Sequence, residues 1–111
     1  MLNSKELNYK KIKVAIEGIL EGSLQSPEEM AHRCNMSTRT LQRIFQKEVG
    51  LSPKNVLRIA RFNNAIRQIG QDNFTEFAQV ALASGFFDQP HMVNEFKKIV
   101  AASPSRFRRY L

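Results

Sequence analysis

The sequence predicts an all-α fold, and three observations carry that prediction. Apolar residues recur at i, i+3, i+4 and i+7, the spacing that places them on one face of a helix. Two Ser-Pro pairs, at 26–27 and 52–53, each supply an N-cap followed by a first-turn proline. Segments also recur at an offset of 51 residues, with Phe45-Gln46-Lys47 falling on Phe96-Lys97-Lys98, Ser52-Pro53 on Ser103-Pro104 and Arg58 on Arg109. One supersecondary unit is therefore expected twice.

Residues 5 to 21 read as the first helix, with Ile12, Ala15, Ile16, Ile19 and Leu20 as its apolar stripe and Gly22 at its end. Ser26-Pro27-Glu28-Glu29 opens a second, with Ser26 as N-cap, Pro27 in the first helical position and Glu29 where a capping box requires it. That helix runs to about Arg33 or Cys34, Asn35-Met36 turns the chain, and Ser37 caps a third helix. At about 100° per residue, the third helix puts Leu41, Ile44 and Phe45 on one face and Arg39, Gln42, Arg43 and Gln46 on the other. Val49-Gly50-Leu51 stops it. From Pro53 to about Gly70 nothing interrupts a long helix, and Val56, Leu57, Ile59, Ala60, Phe62, Ala65, Ile66 and Ile69 cover more than one face, so it should touch core on two sides. A counterpart of the second helix spans Thr75 to Ser84, with Thr75 as cap and Gly85 supplying the turn. Asp88 then caps a further helix with Met92, Phe96 and Ile99 as its inner stripe, and a short C-terminal helix follows Ser103-Pro104.

Length allows one small domain, or two very small ones sharing a connector. The net charge is +7, and its distribution is uneven: residues 31 to 71 hold eight Lys or Arg against the single Glu48, while both ends are nearly balanced. Concentrated positive charge favours a polyanion, although an acidic protein surface or anionic lipid would satisfy the charge balance equally. No apolar run reaches the roughly 18 residues of a membrane span, and the first residues lack the apolar core of a signal peptide, so a cytoplasmic address is expected. Cys34 stands alone and reads as a small buried residue; no Cys or His cluster has metal spacing, and neither a cofactor nor a small-molecule ligand is expected. Catalysis is disfavoured, because His32 and His91 are the only histidines and there is no glycine-rich phosphate loop.

Two short helices joined by a tight turn, the second polar and basic on its free face, form a helix-turn-helix arrangement; any helical hairpin is the blander alternative. The free face from Arg39 to Lys47 carries no acid, whereas a merely solvated face more usually mixes Glu with Lys. Arginine matches guanine edges and phosphates, and glutamine matches adenine. The long helix, roughly 27 Å at about 1.5 Å per residue, approaches the ~34 Å of one DNA turn and could space two reading units.

Ala31 through Arg109 resembles the DNA-binding domain of AraC-type transcription regulators. The resemblance is carried by Ser37-x-x-x-Leu41-x-Arg43-x-Phe45, Gly50-x-Ser52-Pro53 and Arg61-x-x-x-Ala65 in the first half. The second half adds Ala81-x-x-x-Gly85-Phe86-x-Asp88-Gln89-x-His91-x-x-x-x-Phe96-Lys97-Lys98 and Ser103-Pro104-x-x-Phe107-Arg108. Ala101-Ala102 replaces the usual glycine before Ser103, and Met92 stands where many members have Phe. The resemblance implies about seven helices forming two helix-turn-helix subdomains joined by a long linker helix. The divisions expected are 1–51 for the N-terminal helix and first unit, 52–71 for the linker, and 72–111 for the second unit and C-terminal helix.

By position, the resemblance implies DNA contacts from Arg39, Gln42, Arg43 and Gln46 in the first unit and from Gln89, Pro90, His91, Val93, Asn94 and Lys97 in the second. Helical phase independently puts residues 90, 94 and 97 opposite Met92 and Phe96. His91 has two open readings, phosphate donor or packed capping residue. Lys98, Arg106, Arg108 and Arg109 likewise read as backbone contacts or as a solvated tail. The expected function is sequence-specific double-stranded DNA binding for transcription regulation, with RNA polymerase a further partner of the full regulator. The competing reading is a basic helical module that docks an acidic protein. No stretch resembles an effector or dimerisation domain, so the sequence reads either as an excised C-terminal domain, the favoured reading, or as a small standalone member.

Overall fold

The structure of the protein, a computed structural model, describes residues 1–111. It is all-α: α1 Ser4–Leu20, α2 Pro27–Arg33, α3 Thr38–Glu48, α4 Pro53–Ile69, α5 Phe77–Ala83, α6 Gln89–Val100 and α7 Pro104–Phe107, with a final 3-10 turn over Arg108–Tyr110. The chain divides into two compact units, Met1–Arg58 and Ile59–Leu111, and the division falls inside α4.

In the first unit, α1 begins where the Asn3 side chain accepts the Glu6 N–H at 2.8 Å. Ile12, Ala15 and Ile19 are buried as their spacing requires, but Leu20 is 65% exposed. The helix ends there, Gly22 turns the chain at φ +80°, and Leu24 rather than Leu20 closes that end of the core. Leu24 folds back because Gly18 has no side chain. The Gly18 carbonyl accepts from the Ser23 and Leu24 N–H groups at 2.9 and 3.1 Å, and a Cβ on Gly18 would stand 2.5 Å from a Leu24 methyl.

Helix α2 packs on both α1 and α3. Ser26 Oγ accepts the Glu29 N–H at 3.1 Å, and the Glu29 carboxylate accepts the N–H of Gln25, one residue earlier than a standard capping box. Cys34, buried at the end of α2, donates its thiol to the Lys11 carbonyl of α1 at 3.3 Å. Burial raises the thiol pKa, with Lys11 and Arg33 pulling the other way. Met30, Ala31, Leu41, Ile44 and Phe45 complete the interior, joined by Pro53 and Leu57 from the start of α4. Ser52 caps that start by accepting the Asn55 N–H at 3.2 Å.

In the second unit, Phe62, Ala65 and Ile69 of α4 pack with Val80 and Ala81 of α5, Phe86, and Met92 and Phe96 of α6. The rings of Phe62, Phe96 and Phe107 form a tilted triad with centroids 4.7 to 6.3 Å apart. Gln68 Nε2 donates to the hydroxyl of buried Ser84 at 3.0 Å, which satisfies a polar group that would otherwise cost free energy.

Two expectations fail in this unit. Thr75 does not cap α5: Glu76 occupies the N-cap position in extended conformation without a side-chain cap bond, and the Thr75 hydroxyl bonds Gln79 Oε1 instead. Ile99 is 40% exposed, and the core takes Val100 at the last turn of α6, because helical phase sets a direction but not how far the core extends opposite it. Arg108, read as a backbone contact or as part of a solvated tail, is exposed but tethered to its own unit. Its Nε donates to the Ile69 carbonyl at 3.4 Å and its guanidinium lies 4.6 Å from the Phe74 ring, capping the end of α4.

Helix α6 ends with Ala101 in the left-handed region (φ +58°, ψ 30°), where the resemblance leads one to expect glycine. That conformation costs an alanine about 1 kcal/mol or more, only part of which is offset by the greater unfolded-state freedom of glycine. Ala101→Gly should therefore stabilise the protein by about 0.5–1 kcal/mol, raising the thermal midpoint by a few degrees. Gly18→Ala should lower the midpoint although alanine is the better helix former by about 1 kcal/mol, because its Cβ must displace Leu24. Thermal unfolding followed by circular dichroism checks both, and opposite signs at either position would contradict the packing described.

Candidate nucleic-acid interface

Helix α3 separates its two faces completely. Leu41, Ile44 and Phe45 are buried, with Phe45 at 0% exposure, while Arg39, Gln42, Arg43, Gln46 and Lys47 are exposed and line one shallow open depression. Ser37 fixes the start: its Oγ accepts the Thr40 N–H at 3.1 Å and donates to Thr40 Oγ1 at 3.0 Å. The first turn holds no acid, unlike those of α1 and α2, which carry Glu6 and Glu28-Glu29. The positive end of the α3 dipole is thus left for an external anion. Neither Arg39 nor Arg43 is tied into an ion pair within the chain. Two forked guanidinium groups and two carboxamides, held on one rigid face, can make bidentate contacts to planar acceptor edges.

Helix α6 presents a different surface. Gln89, Pro90, Asn94 and Lys97 are exposed, His91 and Val93 are half-buried, and Met92 and Phe96 face inward at 0% exposure. Asp88 caps the helix by accepting the His91 N–H at 2.8 Å, and His91 Nδ1 reaches back to accept the Phe87 N–H at 3.1 Å. The two bonds form a reciprocal cap in which imidazole takes the place of the usual Glu or Gln. With Nδ1 as acceptor, the ring proton sits on Nε2, which faces a Glu95 carboxylate oxygen at 3.9 Å. The ring also stands edge-on to Phe86 with centroids 5.3 Å apart. The imidazole is thus engaged as a cap through Nδ1, the second of the two readings left open by the sequence.

The structure therefore gathers Arg39, Gln42, Arg43 and Gln46 on one face, and Gln89, Pro90, Asn94 and Lys97 on another. Lys47 shares the first face and escaped the sequence reading of the site, although the acid-free run that flagged α3 extends to it. Lys98, Arg106 and Arg109 are exposed. No group of three or more His, Cys, Asp or Glu side chains is placed to hold a metal ion. No helix is long and apolar enough to cross a membrane.

Comparison with known proteins agrees with this geometry. Residues 30–110 match the family model described as a helix-turn-helix domain. An uncharacterised HTH-type transcriptional regulator of Haemophilus influenzae is 32% identical over 82 residues, 74% of this chain and 27% of the relative. The HTH-type transcriptional activator RhaS of Pectobacterium carotovorum is 29% identical over 79 residues, 71% of this chain and 28% of that protein. The chain thus spans between a quarter and a third of the length of these relatives. Among solved structures, the DNA-binding domain of AdpA, a global transcriptional factor in complex with a target DNA, superimposes with a TM-score of 0.77 at 25% identity, covering 93% of this chain and 90% of that one. An AraC-type regulator from Chromobacterium violaceum shares the fold with a TM-score of 0.73 at 24% identity, covering 96% and 92%. With its helix order, its two capped outward helices and a family match over residues 30–110, the chain belongs to the AraC-type helix-turn-helix family.

Proposed function

We propose that the protein binds double-stranded DNA sequence-specifically to control transcription, using α3 and α6 as recognition helices in successive major grooves. The observation that carries this is the exposed, acid-free α3 face of Arg39, Gln42, Arg43 and Gln46, backed by the buried Phe45. Arg39 and Arg43 suit the O6 and N7 acceptors of guanine, and Gln42 and Gln46 suit the N6 and N7 edge of adenine. On α6, Gln89 and Asn94 offer carboxamides, Val93 suits a thymine methyl, Lys97 suits a phosphate, and Pro90 lies beside them at the helix start. His91 serves this face by holding the helix start rather than by contacting a base. Binding, not catalysis, is the activity proposed. Full-length relatives are transcriptional regulators, which supports RNA polymerase as a further partner of a longer regulator and a cytoplasmic place of action.

The two faces are unequal, so we assign most base discrimination to α3, with α6 adding affinity and sensitivity to duplex shape. Selection from a random duplex pool followed by sequencing tests the whole reading: an enriched motif supports it, and an unenriched pool with no gel retardation overturns it. Affinity for the selected duplex should fall at least about a hundredfold between 50 and 200 mM salt, as several released counterions require. Within that assay, Arg43→Ala should flatten preference at one half-site, with about 1–3 kcal/mol of discrimination lost. Asn94→Ala should cost less specificity; a larger loss there would reverse the assignment.

A further inference from the structure

The two turns that lead into the outward helices differ by one residue. In the first, Asn35 is left-handed at φ +55°, Met36 donates its N–H to the Ala31 carbonyl at 3.0 Å, and the cap Ser37 follows at once. In the second, Gly85 is left-handed at φ +92° and Phe86 donates its N–H to the Ala81 carbonyl at 2.9 Å, but Phe87 intervenes before the cap Asp88. Phe86 is thus the counterpart of Met36, and Phe87 has none.

Of the eight phenylalanines, only Phe87 is exposed, at 86%. A ring left in water forgoes the stabilisation that burial would provide. Its backbone is nevertheless held, because its N–H is the group that His91 Nδ1 accepts at 3.1 Å. The exposed residues that follow it along that face of α6 are Gln89, Pro90, Asn94 and Lys97, so the ring is the one exposed aromatic beside a face otherwise suited to a duplex.

We propose that Phe87 is a DNA-contacting residue of the second unit, laying its ring on the apolar parts of the groove wall, deoxyribose carbons and thymine methyls, with His91 as its positioning residue. The inference rests on the reading of α6 as a recognition helix. Such a contact carries no charge, so it adds affinity without displacing a counterion. That property separates it from every Lys or Arg contact on the same surface.

The test uses the full chain and a duplex recovered by the wild type from a random pool, with dissociation constants measured from 50 to 200 mM salt. Phe87→Ala should weaken binding by about five- to thirtyfold at every salt concentration, leaving the salt slope unchanged, as loss of one buried ring implies. Phe87→Leu should keep most of the affinity, and the thermal midpoint of free Phe87→Ala should match the wild type. His91→Ala should also weaken binding with an unchanged slope, and the double variant should lose little more than Phe87→Ala alone. Binding by Phe87→Ala within twofold of the wild type, including the case where the ring serves a protein partner instead, would overturn the inference while leaving the DNA reading intact. A loss on His91→Ala that adds in full to that of Phe87→Ala in the double variant would mark a contact of the imidazole's own and overturn the positioning role. A wild type that retards no duplex would overturn the DNA reading and this inference together.

Discussion

Each outward helix is held from behind by a phenylalanine at the same place in the repeated unit, Phe45 in α3 and Phe96 in α6, both at 0% exposure. Truncating such a ring to alanine costs about 3–5 kcal/mol in a typical core, a large part of the stability of a small domain. The side chains on the opposite face contribute little to that total. Arg39, Gln42, Arg43 and Gln46 stand in solvent, where exchange among polar residues usually changes stability by only a few tenths of a kcal/mol either way. The fold and the reading surface thus draw on different residues of the same helix, and the surface can change without unfolding its support.

Around those two rings the units are built differently. The first seals its core with aliphatic and sulfur-bearing side chains and adds α1, fastened to α2 through the Cys34 thiol and the Lys11 carbonyl. The second uses an aromatic triad and closes its C-terminal end with Arg108 across the end of α4. Their helix starts differ as well: a serine cap on α3 leaves the dipole end free of acid, whereas α6 carries a carboxylate cap that is locked by an imidazole. A carboxylate at the very start of α6 makes that end less welcoming to phosphate than the start of α3, in keeping with the unequal roles assigned to them.

Most of the helices were legible because local chemistry encodes them. Ser26, Ser37, Ser52 and Asp88 all cap as their hydroxyl or carboxylate and the following residues predict. Two misreadings share one cause, since periodicity reports which way a side chain points and not what stands across from it. Leu20 and Ile99 lie in phase with their stripes but at helix ends, where Leu24 and Val100 take the interior instead. Thr75 has the right chemistry for a cap, but Glu76 takes the cap position and the threonine hydroxyl turns to Gln79. The hydrogen bond from Arg108 to Ile69 spans 39 residues, a separation at which local patterns are silent. The exposed face of α3, Lys47 aside, was legible because its exposure follows from phase once Phe45 is buried. The His91 cap was one of two readings the sequence left open, whereas the extra place of Phe87 was not legible, because a one-residue difference between two turns emerges only when their backbone hydrogen bonds are compared.

The central claim is that α3 and α6 are where the molecule meets its partner, and amide chemical shifts recorded while the chain is titrated with a selected duplex address it most directly. The account predicts the largest perturbations in Ser37–Lys47 and Phe87–Lys97, with the α1 amides around the Cys34–Lys11 contact left nearly unmoved. Perturbations centred on α1, with α3 silent, would contradict it.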